Sequence, residues 1–347
     1  MPTIPHKIAA APYLYEDSEA GSLSTALGNR GYQLWHQGKV RNTHADPSKP
    51  SELVVVATDR LSIFDKVLPC TVPYKGEVLT ALTHFWLTGP LINVRHHLIP
   101  STVNPYWNAS VDLERELGIP IAHRTLVVRR LEPQPYELIV RGYLGGSVWK
   151  TYCDTGIVAG TELIAGMKKW QKLNPPLFTP STKDPEGDVN ITQQQYFESL
   201  GQRGRDFKRT VRTIFERAHD FAAERGILLL DTKFEMDIRG CVIDEVLTPD
   251  SSRFTTIADW ELAQQEGRDP IFLDKEPART WGRDTETPFG TIDKLKANNP
   301  EHCAAIAALT VPPSVVSEMS QRYLTIFEKL VGVPLAKYQR DAMGVAR

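Results

Sequence analysis

Leu228-Leu229-Leu230-Asp231-Thr232-Lys233-Phe234-Glu235-Met236-Asp237-Ile238, then Arg239-Gly240, then Cys241-Val242-Ile243-Asp244-Glu245-Val246-Leu247-Thr248-Pro249-Asp250-Ser251-Ser252-Arg253, decides how this chain folds. The first run alternates with period two. Leu228, Leu230, Phe234, Met236 and Ile238 point one way, and Asp231, Lys233, Glu235 and Asp237 the other, which is the pattern of a strand. Read as a two-residue turn, Arg239-Gly240 closes a hairpin, pairs Ile238 with Cys241 and sets Glu235 directly opposite Asp244. Facing side chains in such a pair lie roughly 5 Å apart, so the two carboxylates repel unless a cation lies between them. A divalent ion carried by a nucleotide phosphate relieves that conflict, with Lys233 on the same face. The competing reading is a solvent-exposed amphipathic hairpin edge, because charged outer faces are common on antiparallel sheets. Thr248 to Arg253 gathers hydroxyls, a carboxylate and an arginine around a turn-forming proline, which suits an anionic ligand better than a core.

Outward from the hairpin, 347 residues are long for one core, so two packed lobes are expected: 1–131, rich in strands, and 132–347, mixing helices with strands. The boundary falls at Glu132-Pro133-Gln134-Pro135. A formal net charge of −2 gives no basic footprint for nucleic acid or a membrane surface. No apolar run approaches the roughly 20 residues of a bilayer span, and the N-terminus lacks the apolar core of a signal peptide. The four cysteines, Cys70, Cys153, Cys241 and Cys303, show no CxxC spacing. That fits a reduced, cytoplasmic setting without a zinc site. Monomer and homo-oligomer are equally compatible with the sequence.

Strands are expected over 32–41, 53–57, 124–131 and 136–143. Helices are expected over 77–87, 147–153, 207–225, 259–266 and 315–330, with a short one at 22–27. Phe207 to Arg225 is the clearest, with an apolar stripe of Val211, Ile214, Phe215, Ala218, Phe221 and Ala222 and Gly226 as its stop. Residues 174–190, rich in Pro, Thr, Ser and Asp, read as a long functional loop. The chain beyond Pro334 reads as a partly ordered extension.

Three further clusters suit anions. In Gly38-Lys39-Val40-Arg41 the two cations share one face of an extended chain. They suit a triphosphate or are simply a solvated pair; the GxxxxGK[ST] loop is absent. In Arg141-Gly142-Tyr143-Leu144-Gly145-Gly146-Ser147 a strand delivers an arginine to a glycine turn and a helix start. This is a phosphate site or a plain N-capped turn. Thr179-Pro180-Ser181-Thr182-Lys183 offers hydroxyls and an ammonium to a carboxylate or phosphate, or is a solvated turn.

Taken together, GKVR (38–41), ATDRLSIFD (57–65), YKGEVLT (74–80), VRGYLGGSVWKTY (140–152), PPLFTPSTK (175–183), LLDTKFEMDI (229–238) and IDEVLTPDSSRF (243–254) resemble the SAICAR synthetase family, in the same order over about residues 30–335. The resemblance implies an α+β fold in which an antiparallel N-terminal lobe packs on a larger α/β lobe with ATP in the cleft. It implies an ATP-dependent ligase joining L-aspartate to the carboxylate of CAIR (5-amino-1-(5-phosphoribosyl)imidazole-4-carboxylate) to give SAICAR, ADP and phosphate, with Mg²⁺ accompanying ATP. On the matching positions Lys39 and Arg41 contact ATP phosphates, and the adenine docks near Val128 to Leu131. Glu235 and Asp244 hold the metal. Arg141, Ser147 and Arg253 bind the CAIR phosphate, with Asp250 and Ser251 beside them. Asp274, Lys275 and Arg279 close on the same substrate. Lys183, Asp188 and Lys233 form the catalytic set. The chain departs from the family pattern twice. Asp184 to Ile191 lacks the usual histidine, with Val189 in place of a glutamate, and Thr255 stands where a tryptophan is usual. Two rival readings are a different ATP-dependent carboxylate–amine ligase on the same lobes, and a nucleotide-binding module that has lost catalysis.

Overall fold

The structure is a computed structural model and describes residues 25, 27–99, 121–183 and 188–345; most of the helix expected over 22–27 lies outside them. A first antiparallel sheet runs in the order β1 (Gln33–Gln37), β2 (Arg41–Ala45), β3 (Glu52–Ala57), β6 (Thr125–Arg129). Between β3 and β6 come a two-stranded hairpin, β4 (Arg60–Ile63) with β5 (Lys66–Thr71), and helix α1 (Lys75–Thr88). A second antiparallel sheet has β7 (Tyr136–Tyr143) and β11 (Ile227–Met236) at its centre. It is flanked by β10 (Lys172–Thr182) on one side and by β12 (Val242–Ile243) and β13 (Ser252–Thr256) on the other. Helix α2 (Ser147–Thr155) and the hairpin β8 (Ile157–Val158) with β9 (Thr161–Glu162) lie between β7 and β10. Among the described residues the remaining α-helices are α3 (Gln193–Leu200), α4 (Gln202–Ala223), α5 (Ile257–Glu266), α6 (Glu276–Asp284), α7 (Pro300–Ala307), α8 (Pro313–Val331) and α9 (Leu335–Ala342). The fold is α+β.

The Glu132–Pro135 segment carries the chain from the first sheet to the second, and residues 95–98 stitch the two together. His97 N–H donates to Val242, Val242 N–H to Arg95, and Arg129 N–H to His97. The main core forms where α1, α4 and α8 meet the second sheet. Trp86, Phe215, Phe234, Phe254 and Phe327 are all fully buried there. Helix α4 shows why its sequence coils: Phe207, Val211, Ile214, Phe215, Ala218 and Ala222 recur at helical spacing and all are buried. Gly226 follows in the left-handed region, at φ +71°. Helix α1 is buried on nearly every side, which only a central element tolerates. Among the described residues no helix is long and apolar enough to cross a membrane.

Three expectations need correction. Glu235 pairs with Ile243, not Asp244, because Asp237 to Cys241 form a longer turn, in which Asp237 Oδ1 accepts from the Arg239 and Cys241 amides. The register is therefore one residue away from that of a two-residue turn. Residues 172–182 are not a loop but an eleven-residue strand. It lies at the sheet edge, where Pro175 and Pro180 can omit ladder donors. The chain after Pro334 is a packed helix, with Leu335, Tyr338 and Gln339 buried.

Candidate active site

Strand β11 is central, so its polar face is not an exposed edge. Asp231 and Thr232 are buried, and Lys233 and Glu235 are half-buried. Asp231 and Glu235 are four residues apart, a span of roughly 13 Å along an extended chain. Each marks one end of the site.

At the Asp231 end two guanidiniums converge on one carboxylate. Asp231 Oδ2 accepts from Arg141 at 3.0 Å and from Arg253 at 2.6 Å. Arg141 is buried and also donates to the hydroxyls of Thr179 at 3.0 Å and Ser147 at 3.4 Å. Ser147 opens α2, so the orphan amides of that helix start face the same place. The glycines are required here. A Cβ on Gly145 would lie 2.2 Å from the Trp170 ring, and one on Gly146 would lie 2.8 Å from Arg253 Nη1. Two guanidiniums share one paired carboxylate in a part-buried socket, with Asp274 and Glu276 within electrostatic reach of Arg253, and paired guanidiniums of this kind suit a phosphate.

At the Glu235 end the carboxylates take cations of their own. Glu235 Oε2 accepts from Lys183 at 2.5 Å. Asp244 Oδ2 accepts from Arg41 at 2.7 Å, and Glu245 Oε1 lies 3.3 Å from the same guanidinium. Burial pushes the Asp244 carboxyl up, but Arg41, Lys183 and Lys233 outweigh it and hold its pKa below the ordinary value. Glu245 goes the other way: burial raises it despite Arg41. Asp244 sits at φ +63°, out of the ladder, so its side chain leaves the direction that regular pairing would give it. Lys183 and Arg41 each still feel both carboxylates, so Asp244 stays in the electrostatic neighbourhood of Glu235 although the register has shifted. Among the described residues no three His, Cys, Asp or Glu side chains gather as a protein-only metal cage. Two carboxylates completed by nucleotide phosphates are nevertheless the usual donor set for Mg²⁺, so the residues fit that ion.

Lys39 and Arg41 do not share a face as the extended reading expected. They belong to the β1–β2 hairpin turn, closed by Gly38 N–H donating to Arg41 C=O at 2.7 Å. Lys39 reaches Asp65, while Arg41 turns in to Asp244. Arg60 braces this turn from behind, donating to the carbonyls of Lys39 at 3.0 Å and Gly38 at 2.9 Å. Beside Arg41 opens a pocket of about 330 Å³, counted out to its mouth, with walls of Val55, Ala57, Leu79, Leu126 and Val128. Val128 lines it; Leu131 does not. His97, also on this wall, is pushed down to about 4 by burial and is neutral at physiological pH.

Lys233 pairs with Glu137 of β7, and Asp188 is close enough to Glu137 to raise its pKa further, after burial. Of the altered stretch 184–191, residues 184–187 lie outside the described residues, while the Val189 carbonyl accepts from Thr182 N–H at 2.9 Å and Ile191 N–H donates to the Pro180 carbonyl at 3.1 Å. Asp250 does not point into the socket: Oδ2 is 2.8 Å from the fully buried Lys75, and Oδ1 accepts from Tyr323. Ser251 is likewise inside, bonded to Thr248. Asp274 is buried and paired with Arg279 at 3.3 Å, and burial raises its pKa. Lys275 is next to it, its pKa lowered to about 8 by burial. Thr255, the second departure, donates to the Ile271 carbonyl at 2.9 Å. Sequence reasoning gave no role to Asp231, Glu137, Lys75 or Arg60. Asp231 was visible on the polar face of the strand, but nothing in the sequence marks which cations it meets.

Fold and site together define an enzyme whose two antiparallel sheets hold an anion socket at one end of a strand and paired carboxylates at the other. The chain belongs to the SAICAR synthetase family: the model of that family matches residues 34–294. It is similar to the phosphoribosylaminoimidazole-succinocarboxamide synthase of Thermobifida fusca (strain YX), at 37% identity over 321 residues, covering 90% of this chain and 94% of that protein. The synthase of the same name from Xanthomonas campestris pv. campestris (strain B100) is 39% identical over 315 residues, covering 81% and 96%. The SAICAR synthase of Saccharomyces cerevisiae, solved in complex with SAICAR, superposes with a TM-score of 0.73 at 31% identity, covering 87% of this chain and 96% of that one.

Proposed function

We propose that this enzyme joins L-aspartate to the carboxylate of CAIR at the expense of ATP, giving SAICAR, ADP and phosphate. The observation that carries this reading is the spacing on β11. A doubly arginine-lined socket at Asp231 and converging carboxylates at Glu235 and Asp244 are separated by about the length of a phosphorylated ribose bearing a small ring, roughly 13 Å of strand. The socket takes the CAIR phosphate, through Arg141, Arg253 and Ser147. The imidazole carboxylate then lies towards Lys183, Lys233 and Asp188, and the ATP phosphates lie at Lys39 and Arg41 with the adenine in the pocket lined by Val128. Glu235 and Asp244 hold Mg²⁺, which when bound neutralises phosphate charge. The lobes 1–131 and 132–347 form the two walls, and the setting is the cytoplasm.

The chemistry runs in two steps. A carboxylate oxygen of CAIR attacks the γ-phosphorus, an O–P bond forms, the bond to the bridging oxygen breaks, and ADP leaves. The aspartate amine then attacks the acyl carbon; a C–N bond forms, phosphate leaves with its oxygen, and the amine gives up a proton. A carboxylate is a poor acyl donor until its oxygen becomes a leaving group, so the protein's part is alignment and charge neutralisation. Lys183 and Lys233 supply positive charge where oxygens crowd together, and closure over the site keeps water from the acyl phosphate. The test is ADP release with ATP, Mg²⁺ and CAIR, with and without L-aspartate, alongside mass detection of SAICAR. ADP and SAICAR appearing together only with aspartate is expected. ADP without SAICAR, or no ADP, overturns the reading.

A further inference from the structure

Two consecutive residues of α8, Arg322 and Tyr323, reach the two segments that carry the substrate side chains. Tyr323 is completely buried and its hydroxyl donates to Asp250 Oδ1. Asp250 Oδ2 is 2.8 Å from Lys75, which starts α1 and is itself 0% exposed. Asp250 lies in the tight turn from Thr248 that delivers Ser251 and, through β13, Arg253. Arg322, just before it on the helix, donates to the carbonyl of Phe272, two residues before Asp274 and three before Lys275. These two segments are joined to one another as well: Leu273 N–H donates to Phe254 C=O at 2.7 Å, and Thr255 to Ile271 C=O. Helix α8 (Pro313–Val331) lies wholly beyond residue 294, where the family match ends.

A buried carboxylate is tolerated only when its oxygens are satisfied. Asp250 has one oxygen on the ammonium of α1 and the other on the phenol of α8, so its position, and that of the turn behind it, depends on both helices. We propose that Tyr323 is a positioning residue for CAIR: through Asp250 it fixes the 248–253 turn and hence the Arg253 side of the phosphate socket, while Arg322 fixes the Asp274–Lys275 side. Neither touches the reacting atoms. Helix α8 is thus a brace across two substrate segments rather than an added layer of core. The inference rests on the proposed CAIR reading for its ligand, but the geometry of the brace does not.

Tyr323→Phe tests it, since the ring stays in the core and only the O–H is lost. The expected result is a rise of about tenfold in KM for CAIR, the loss of one hydrogen bond to a buried charge, with KM for ATP within twofold of wild type. Amide exchange in 248–253, which needs no substrate, should quicken. Leu330→Ala serves as control: Leu330 is also a fully buried residue of α8, about two turns further along the helix than Tyr323, and carries no polar group that could hold the substrate turn. It should lower Tm without splitting the two KM values or loosening 248–253. In a Tyr323→Phe/Asp250→Asn double variant the phenol has no charge left to hold, so its loss should add little to Asp250→Asn alone. Unchanged exchange and unchanged KM for CAIR in Tyr323→Phe, or equal rises in both KM values, overturn the brace. Wild-type protein that fails to turn over CAIR overturns the functional reading instead, and the exchange result still judges the brace.

Discussion

Arg253→Ala isolates the phosphate socket. Arg253 is part-buried, its side chain 20% exposed, and its ion-pair partner is Asp231 Oδ2 at 2.6 Å, with Asp274 and Glu276 within electrostatic reach. Removing it does not orphan that carboxylate, because Arg141 remains 3.0 Å from the same oxygen. The fold should therefore survive, with Tm lowered by a few degrees at most. What is lost is a charge-assisted hydrogen bond to the substrate phosphate, about 1.5–3 kcal/mol. At about 1.4 kcal/mol per tenfold, this raises KM for CAIR by roughly ten- to hundredfold. KM for ATP should stay within twofold, since Lys39 and Arg41, the cations proposed for the ATP phosphates, sit at the other end of the site with Asp65 and Asp244. The assay is initial-rate kinetics with each substrate varied at saturating levels of the others. Arg141→Ala is the contrast: it strips Thr179, Ser147 and half of Asp231 of partners inside the sheet, so it should cost stability as well as CAIR affinity. Equal rises in both KM values for Arg253→Ala, or an unchanged KM for CAIR, would refute the assignment.

Glu235→Gln and Asp244→Asn should each lower kcat by two orders of magnitude or more, roughly the range for losing an electrostatic anchor, while circular dichroism and Tm stay near wild type. The partner left behind is half-exposed Lys183 in the first case and Arg41, still beside Glu245, in the second. Normal turnover in either, with ordinary Mg²⁺ dependence, would sink the metal assignment. Lys275 loses its charge as pH rises through about 8, so KM for CAIR should climb between pH 7 and 9, and Lys275→Arg should flatten that climb; a climb that persists in the arginine variant points elsewhere. For stability the sign is opposite: the folded pKa lies below the usual 10.5, so this group's contribution grows as pH rises from about 8 toward that value. Gly145→Ala places a methyl 2.2 Å from the Trp170 ring, and overpacking of this kind costs about 1–3 kcal/mol, read as a drop in Tm; an unchanged Tm would mean that the ring moves aside freely.

The elements that proved legible are those whose partners lie within their own stretch of chain. Helix α4 reads directly because its stripe and its Gly226 stop are local. Strand β7 matches its expected limits, 136–143, because its apolar run is bounded by Pro135 and the Gly145-Gly146 turn. Strand β10 hid because its prolines and hydroxyls look like a loop; only the neighbouring β7 makes an edge strand of it. Helix α9 hid for the same reason, since its buried Gln339 is explained only by Glu77, far away in sequence. Helix α3 had a local signal that went unused, the Thr192–Gln195 capping box.

The site shows the same division at the level of charge. A sequence gives the residues that can carry charge and, through period two, which of them share a face, as with Asp231, Lys233 and Glu235. It does not say which opposite charge each one meets, and here that decides the role. Asp250 and Asp231 look alike in the chain, each a carboxylate followed by a hydroxyl residue, Ser251 and Thr232. The structure makes one an internal strut between Lys75 and Tyr323, and the other the counter-ion of the Arg141 and Arg253 guanidiniums. Asp244 is the sharpest case. The register that suggested it as a metal ligand was off by one residue, yet the carboxylate, on a left-handed backbone position, still pairs with Arg41 and stays in the electrostatic neighbourhood of Glu235. A register error of one normally sends a side chain to the opposite face. It did not here because Asp244 has left the ladder, and positive φ in a non-glycine residue is tolerated where surrounding contacts hold it and a site requires it. The Arg41 ion pair is that contact, so losing Arg41 should displace Asp244 as well as remove a cation from the cleft.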